Sequence, residues 1–141
     1  MCKGFTQCGL VLTVQGGPGN DKQVNEFSLK VYSNMAWLIE KTPQVGRVKE
    51  GEYSYFDYYN TCKNCTLLIT ANTFSTDKDV DLFVNFGSSK GLPNQNSSDF
   101  NSTHWLSETM DINLNSTYFK GKTSMKGLFL IGVYSDTGAT F

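Results

Sequence analysis

Apolar and polar residues alternate along much of the chain with a period of two, and longer apolar runs are rare. Such alternation, with many β-branched and aromatic residues, is typical of β-strands that bury one face. Seven segments show it: GLVLTVQ, EFSLKVYS, GEYSYFDYY, TLLITANTF, VDLFVNFG, ETMDINL and GLFLIGVYS. We therefore predict an all-β fold, arranged as an antiparallel β-sandwich or jelly roll.

The segments between the predicted strands are rich in turn-forming residues, most clearly GGPGND and GLPNQNSSDFNST. Gly, Pro, Asn and Asp adopt the backbone angles of tight turns, so these segments indicate loops. No stretch carries a helical stripe of apolar residues, and NMAWLIEKT is compatible with one helical turn or a bent strand.

Two segments of the chain resemble each other. GLVLTVQ starts at Gly9 and leads through a loop to FSLKV, while GLFLIGVYS starts at Gly127 and leads through a shorter loop to ATF. They lie about one domain length apart, which suggests a repeat whose final strand is missing from the second copy. We therefore expect residues 1–40 to form an N-terminal hairpin that ends a preceding repeat, and residues 41–141 to form a sandwich completed by a strand from a neighbouring unit. The alternative is a chance likeness of two amphipathic hairpins.

Composition and charge argue against two classes of protein, those that bind nucleic acid and those that span a membrane. Of 141 residues, 13% are aromatic and 18% are charged, and the formal net charge is −1. So balanced a charge produces no field that attracts nucleic acid, and we expect no nucleic-acid partner. The longest apolar run, GLFLIGVY, is far shorter than the roughly 20 residues of a membrane helix, so we expect no membrane span.

The four cysteines occur as two close pairs, Cys2 with Cys8 and Cys62 with Cys65. An even number in local pairs favours two local disulfide bonds, although the sequence leaves all three pairings open. Redox chemistry and zinc binding are weaker interpretations. A redox Cys-x-x-C precedes a helix whereas CKNC precedes the strand-like TLLIT, and a structural zinc site needs two knuckles of matching spacing.

Four acceptor sequences for N-linked glycans indicate whether the protein is intracellular or secreted. None contains proline at the middle position, and they begin at Asn64, Asn96, Asn101 and Asn115. Sequons beside candidate disulfides are typical of secreted proteins, so we predict a secreted or cell-surface glycoprotein. The N-terminal segment MCKGFTQCGLVLTVQGG is a poor signal peptide, and we expect any signal to be upstream or already removed.

Candidates for catalysis are few. The sequence has a single histidine, His104, and every serine lies in a turn or strand-edge context that does not suit a catalytic nucleophile. Glycoside cleavage requires two carboxylates that face each other about 5 to 9 Å apart, and no cleft can be inferred for the acidic residues of this chain. We expect no catalytic residues, no required cofactor and no enzymatic activity.

The strand segment YSYFDYYN carries aromatic rings on both faces. Tyr53, Tyr55 and Tyr59 fall on one face with Asp57, and Phe56 and Tyr58 fall on the other. If the second face fills the core, the first offers tyrosines to a partner strand, another subunit or an extracellular polysaccharide. The alternative is that these rings pack against neighbouring strands of the same sheet.

Three aspartates alternate in STDKDVDLFV, at positions 77, 79 and 81. In an extended strand Asp77, Asp79 and Asp81 project to one face. The EF-hand calcium motif is absent, because its glycine and glutamate positions are Leu82 and Ser88 here. A looser calcium site at the sheet edge is one interpretation. The other is that the first two aspartates cap a turn and the third begins a strand.

Four motifs in order resemble a known family: GRVKEGEYSYFDYY, DKDVDLFVNFG, HWLSETMDINL and GLFLIGVYSDTGATF. Together they resemble the bacterial pre-peptidase C-terminal domain, a β-sandwich appended to secreted proteases and also found in extracellular protist proteins. Phe83 stands where the family often has tyrosine, and the cysteines and sequons are not part of the family pattern. The resemblance implies a non-catalytic module. We expect either a repeating structural unit of an extracellular fibre, or a carbohydrate- or protein-binding accessory domain of a secreted hydrolase.

Overall fold

The computed structural model describes residues 35–141, which belong to one compact unit, Ser33–Phe141. The regular elements of this part of the chain are strands apart from one short 3-10 turn, so the all-β prediction is confirmed. The elements are β1 Met35–Trp37, β2 Arg47–Val48, β3 Glu52–Asn60, β4 Leu67–Ala71, β5 Asp81–Phe86, β6 Phe100–Ser102, β7 Glu108–Ile112, a 3-10 turn Thr117–Phe119, β8 Gly127–Ser135 and β9 Ala139–Thr140.

The larger sheet has five strands in the order β1-β3-β8-β5-β6. β8 lies at its centre, where Ile131 faces Phe56 of β3 on one side and Val84 of β5 on the other. The prediction of antiparallel pairing fails at one place, because β1 runs parallel to β3 with Met35 opposite Tyr55. The chain between them crosses to the other layer as β2 before it returns, and a crossover of this kind produces a parallel pair.

The second layer consists of two strand pairs, β2 with β9 and β4 with β7. The Phe74 N–H donates to the Thr140 carbonyl at 3.1 Å, which connects the two pairs. The inner faces of both layers share one hydrophobic core, as expected of a sandwich. Its members come from the larger sheet and from the second layer alike: Phe56, Leu82, Val84, Phe129, Ile131, Val133, and Val48, Ile69, Ala71, Met110, Ile112, Ala139.

The predicted strands with the clearest alternation agree with the structure. β5, β7 and β8 fall inside their predicted segments, β3 extends one residue beyond its segment, and NMAWLIEKT contains the short strand β1. β4 is shorter than predicted, β6 lies in a predicted loop, and β2 lies outside the seven predicted strands, whereas β9 lies in ATF, which is predicted to begin a strand. Because β1 pairs with β3, residues 35–37 belong to the sandwich. The predicted strands before residue 34, together with Cys2 and Cys8, lie outside the described residues.

No helix within residues 35–141 is both long enough and apolar enough to cross a membrane.

Candidate functional site

An open groove of about 590 Å³ runs beside β4 in the second layer. Residues 67–74 line one side and residues 38–45 the other. Tyr58 and Ile131 of the larger sheet also line it, as does Phe141. Since Ile131 belongs to the hydrophobic core, the groove reaches down to the core of the sandwich.

One edge of β4 faces this groove. β4 pairs with β7 alone, and within residues 35–141 no other strand bonds to β4. Backbone groups of successive strand residues point to opposite edges. Thr70 lies opposite Thr109 of β7, and the Thr109 carbonyl accepts a bond from the Ser102 hydroxyl at 3.4 Å. The Thr109 carbonyl therefore points away from β4. Because Thr70 and Thr109 are directly opposite, the N–H and C=O groups of Thr70 point away from β7, to the groove side.

The direction of β9 indicates what shape would fit the groove. Phe141 exchanges two backbone hydrogen bonds with Gly46, at 2.8 and 3.1 Å, which extends the β2–β9 ladder by one pair. On its other edge β9 receives the bond from Phe74 to Thr140. The line of β9 beyond Phe141 therefore leads into the groove, between residues 42–45 and β4. An extended strand lying in the groove would run alongside β4 and continue the line of β9.

A close contact holds the end of β9 at the mouth of the groove. The Phe141 ring lies over Gly46 so closely that a Cβ atom there would be 2.5 Å from the ring. The same ring packs edge-on against Phe56 of the core, with 5.9 Å between centroids. Any side chain at position 46 would push Phe141 out of this place.

The groove is bordered by exposed apolar side chains. Ile39 is 61% exposed, Val45 72%, Leu68 58% and Phe74 71%, and all four line the groove. Clustered exposed apolar residues of this size mark interaction surfaces more often than isolated ones do. The sequence contains one signal of this site, because Leu68 interrupts the alternation of TLLITA with an apolar residue at an outward position.

The predicted tyrosine surface is mostly engaged within the sandwich. Tyr53 stacks on Tyr55 with 5.7 Å between centroids and also contacts Tyr134 at 4.9 Å. The Tyr53 hydroxyl accepts a bond from the Gln95 N–H at 3.1 Å. These contacts correspond to the alternative of packing within one sheet. Tyr59 is the most exposed of the three predicted tyrosines, at 43%.

Tyr59 has two neighbours that the sequence did not single out as a site. Trp37 lies opposite Asp57 across the β1–β3 pair, so the two side chains share the outer face with Tyr59. Trp37 is 55% exposed. One oxygen of the Asp57 carboxylate, Oδ1, is buried without a hydrogen-bond partner among the described residues. Burial raises the pKa of Asp57.

The three alternating aspartates do not share a strand face, because residues 76–77 form a turn and only Asp81 belongs to β5. Asp77 accepts a hydrogen bond from the Ser75 hydroxyl. Asp79 accepts one from the distant Leu106 N–H at 2.6 Å. Within residues 35–141, no group of three or more His, Cys, Asp or Glu side chains is arranged to hold a metal ion. The looser calcium site stays a prediction, and Asp81 begins the strand as the other interpretation expected.

Asp81 lies in an acidic environment. Burial raises its pKa to about 6, and the nearby charges of Asp79, Glu108 and Asp136 act in the same direction. The nearest of these in sequence, Asp79, is fixed by its bond to Leu106, a residue with a positive φ of 79°. Asp79 thus stabilises the loop that contains Leu106, while its negative charge raises the pKa of the neighbouring Asp81.

A buried glutamate brings together Ser102, His104 and Glu108. The fully buried Glu108 carboxylate accepts hydrogen bonds from the Ser102 hydroxyl and from the His104 N–H. His104 Nδ1 lies 3.3 Å from both Ser102 Oγ and Glu108 Oε2. A catalytic relay joins serine and acid to the two different ring nitrogens, whereas here both meet Nδ1 and also each other. These hydrogen bonds hold the loop after β6 against β7. Glu108 was not identified from the sequence.

The CKNC segment leads into β4, as the sequence indicated. Cys62 and Cys65 are free thiols in this structure. A hydrogen bond with Cys62, followed by burial, raises the pKa of the Cys65 thiol. The buried Asn60 side chain holds the segment by donating to the Cys62 carbonyl at 3.1 Å and to the Met125 carbonyl at 2.9 Å. The predicted disulfides stay predictions.

All four sequon asparagines are exposed, which leaves room for a glycan at each. None of them lines the groove: Asn64, Asn96, Asn101 and Asn115. Asn101 lies in β6 rather than in a loop.

Known protein families, curated proteins and solved structures contain no match to this chain.

Proposed function

We propose that this chain is a non-catalytic structural module of a secreted or cell-surface glycoprotein, and that it assembles head to tail into an extracellular fibre. The observation that carries the proposal is the groove beside β4, where one edge of β4 has no partner strand among residues 35–141. A strand from a neighbouring unit would complete the second layer there. Because donor and acceptor surfaces differ, such contacts extend into a chain.

The groove suits an incoming strand on both of its sides. Thr70 offers its backbone groups from β4, and residues 42–45 continue the line of Gly46, which already pairs with Phe141. Main-chain hydrogen bonds supply affinity in strand addition, and pockets for alternate side chains supply specificity. The exposed side chains of Val45 and Leu68 would lose water contact when the groove is filled.

Two further features support the extracellular part of the proposal. The four sequon asparagines are exposed and lie away from the groove, so glycans attached there would leave it open. The resemblance of the four sequence motifs to the pre-peptidase C-terminal domain, which implies a non-catalytic module of a secreted protein, is part of the proposal.

The alternative function is a carbohydrate- or protein-binding accessory domain of a secreted hydrolase. The outer-face rings of Trp37 and Tyr59 favour it, because both are exposed and exposed aromatic rings stack on sugars. In this function the chain would bind an extracellular polysaccharide as a monomer.

Light scattering coupled to size-exclusion chromatography, over a range of concentrations, distinguishes the two functions. We expect assemblies that grow with concentration, and linear particles in negative-stain images. Thr70→Pro should abolish them, because proline removes a groove-side N–H while the β7 side of the strand keeps its bonds. Thr70→Val is the matched control, since it preserves the N–H. Monomers at every concentration, together with polysaccharide binding that Trp37→Ala removes, would favour the alternative.

A further inference from the structure

We propose that a recess on the outer face of β2 and β9 binds an acidic polysaccharide, one whose sugars carry sulfate or carboxylate groups. This basic cleft has a volume of about 540 Å³ and is lined by residues 47–49, by the loop after β4 and by residues 138–140. It adjoins the groove beside β4 at Phe74, which lines both. The inference goes beyond the proposed function, because binding at the basic cleft requires neither a donor strand nor assembly.

The path of β2 places two cationic side chains on one wall of the basic cleft. Val48 is buried in the core, and neighbouring residues of a strand point to opposite faces, so Arg47 and Lys49 point outward, where both are exposed. Residues two apart on a strand are separated by roughly 7 Å. The third cation, Lys78, lines the basic cleft from the loop after β4, and its Nζ donates to the Thr137 carbonyl at 3.2 Å. The three cations therefore border the recess from two sides.

The basic cleft has an excess of positive charge, although the formal net charge of the whole chain is −1. Its lining contains three cationic side chains and one carboxylate, that of Asp77. Arg47 has no ion pair among the described residues, while Lys49 lies 3.8 Å from Glu52 in a pair that is exposed on both sides. Exposed ion pairs contribute little, so Lys49 can exchange this partner for a bound anion. A local surplus of this kind attracts a chain of negative groups.

The basic cleft also offers contacts for the sugar rings. Phe74 is strongly exposed at its border, and an exposed aromatic ring can stack on the apolar face of a sugar. Thr140 lies directly opposite Arg47 across the β2–β9 pair, so the two side chains share the outer face. The Thr140 hydroxyl can donate to the same sulfate or carboxylate that the guanidinium binds. A ring beside several cations suits a charged sugar chain better than an inorganic anion.

Isothermal titration calorimetry of the full-length chain with a heparin hexasaccharide tests the basic cleft. Arg47→Gln should raise the Kd about 10-fold at low salt, because a charge-assisted hydrogen bond is lost. Lys126→Gln is the matched control: it removes one positive charge just before β8 begins, away from the basic cleft, and should leave the Kd within about 2-fold of the original. Thermal unfolding checks that both variants are folded. Equal losses in the two variants would overturn the inference.

The salt dependence of binding separates the charged contacts from the stacking contact. Cations that neutralise a polyanion release its bound counterions, so the logarithm of the Kd rises with the logarithm of the salt concentration. Arg47→Gln should lower this slope by about one. Phe74→Ala should raise the Kd about 3- to 10-fold and leave the slope unchanged, because the ring carries no charge. A Kd of the original chain that does not change with salt would overturn the inference.

Removal of the carboxylate in the basic cleft should strengthen binding. Asp77→Asn keeps a side-chain oxygen that can accept the hydrogen bond from the Ser75 hydroxyl, but it removes the charge that repels a bound anion. The Kd for the heparin hexasaccharide should fall about 2- to 5-fold. Asp111→Asn, on the exposed face of β7, removes the same charge elsewhere and is the control. An equal gain in both variants would contradict a site beside Asp77.

Three sugar probes of equal length identify the acidic group. The heparin hexasaccharide carries sulfate and carboxylate, a galacturonic acid hexasaccharide carries carboxylate alone, and a dextran hexasaccharide is neutral. Binding of the first two supports carboxylate recognition, and binding of the first alone supports sulfate recognition, provided that Arg47→Gln weakens it. Equal binding of the neutral probe would overturn the inference.

Two further outcomes separate this inference from other functions of the chain. Vesicles of phosphatidylserine and phosphatidylcholine that bind more tightly than every charged sugar, and lose that binding in Arg47→Gln, would assign the basic cleft to a membrane surface and overturn the polysaccharide. A chain that assembles into fibres but binds none of the charged probes would overturn this inference alone. A monomeric chain that binds them at the basic cleft would overturn the proposed assembly and leave this inference standing.

Discussion

The two layers of the sandwich differ in how completely their strands are paired. In the larger sheet, β8 is hydrogen-bonded along its length to β3 and along most of it to β5. In the second layer, β9 has two residues, and β4 has a neighbouring strand on one edge only within the part of the chain that the structure describes. The same core lies beneath both layers. The difference shows that burial of the inner face and pairing of the strand edges are separate requirements. In the described residues, the second layer buries its inner face although one edge of β4 has no partner strand.

Truncation of core side chains should affect the fully paired sheet most. Phe129 of β8 is fully buried and packs edge-on against Phe86, with 5.0 Å between centroids. Phe129→Ala should lower the free energy of unfolding by about 3 to 5 kcal/mol, because it leaves a cavity. Leu68→Ala, at the groove, should change the stability of the monomer by no more than about 0.5 kcal/mol. Urea denaturation of dilute samples measures both, and equal losses would contradict the comparison.

Loss of the hydrogen bonds that connect β6 and β7 should cause the second largest loss of stability. Glu108 is buried and accepts hydrogen bonds from Ser102 and from the His104 N–H. Glu108→Ala should lower the free energy of unfolding by about 2 to 3 kcal/mol, because bonds to a charged group are lost and buried donors are left without partners. Glu52→Ala, at an exposed position on β3, is the control and should have little effect. Thermal unfolding measures the difference.

The paired sheet also contains one costly charge, and its effect should be smaller. The pKa of Asp81 is raised from 3.8 to about 6 in the folded protein. The protonated form therefore favours folding, and this contribution is complete below pH 3.8 and is lost as the pH rises through about 6. Asp81→Asn should stabilise the protein at pH 8 by about 1 kcal/mol, a value reduced for solvent screening.

The pH dependence supplies the check on Asp81. At pH 4 the stability difference between Asp81→Asn and the original protein should largely disappear, because the wild-type carboxyl is then mostly protonated. Asp111→Asn on the exposed face of β7 removes a charge outside this acidic group and is the control. A stabilisation by Asp81→Asn that is equal at pH 4 and pH 8 would contradict the assignment.

The long strands could be predicted because their own residues carry the signal. GLFLIGVYS alone indicates β8, and EYSYFDYYN carries the alternation of β3. β2 and β9, with two residues each, are too short to have a pattern and form only where a partner edge meets them. The aspartates misled for a related reason, since three alternating carboxylates suggest an extended strand but a turn at residues 76–77 separates them.

The sequence by itself determined the main sheet-forming segments and the positions of the sequons. Only the tertiary structure decided which strands pair, that the sequons are exposed, and that a groove lies beside β4. Alternation is a local property that a short window reveals, whereas an unpaired edge depends on which distant segments meet. Here the bonds of Phe141 with Gly46 and of Phe74 with Thr140 set β9 in line with the groove.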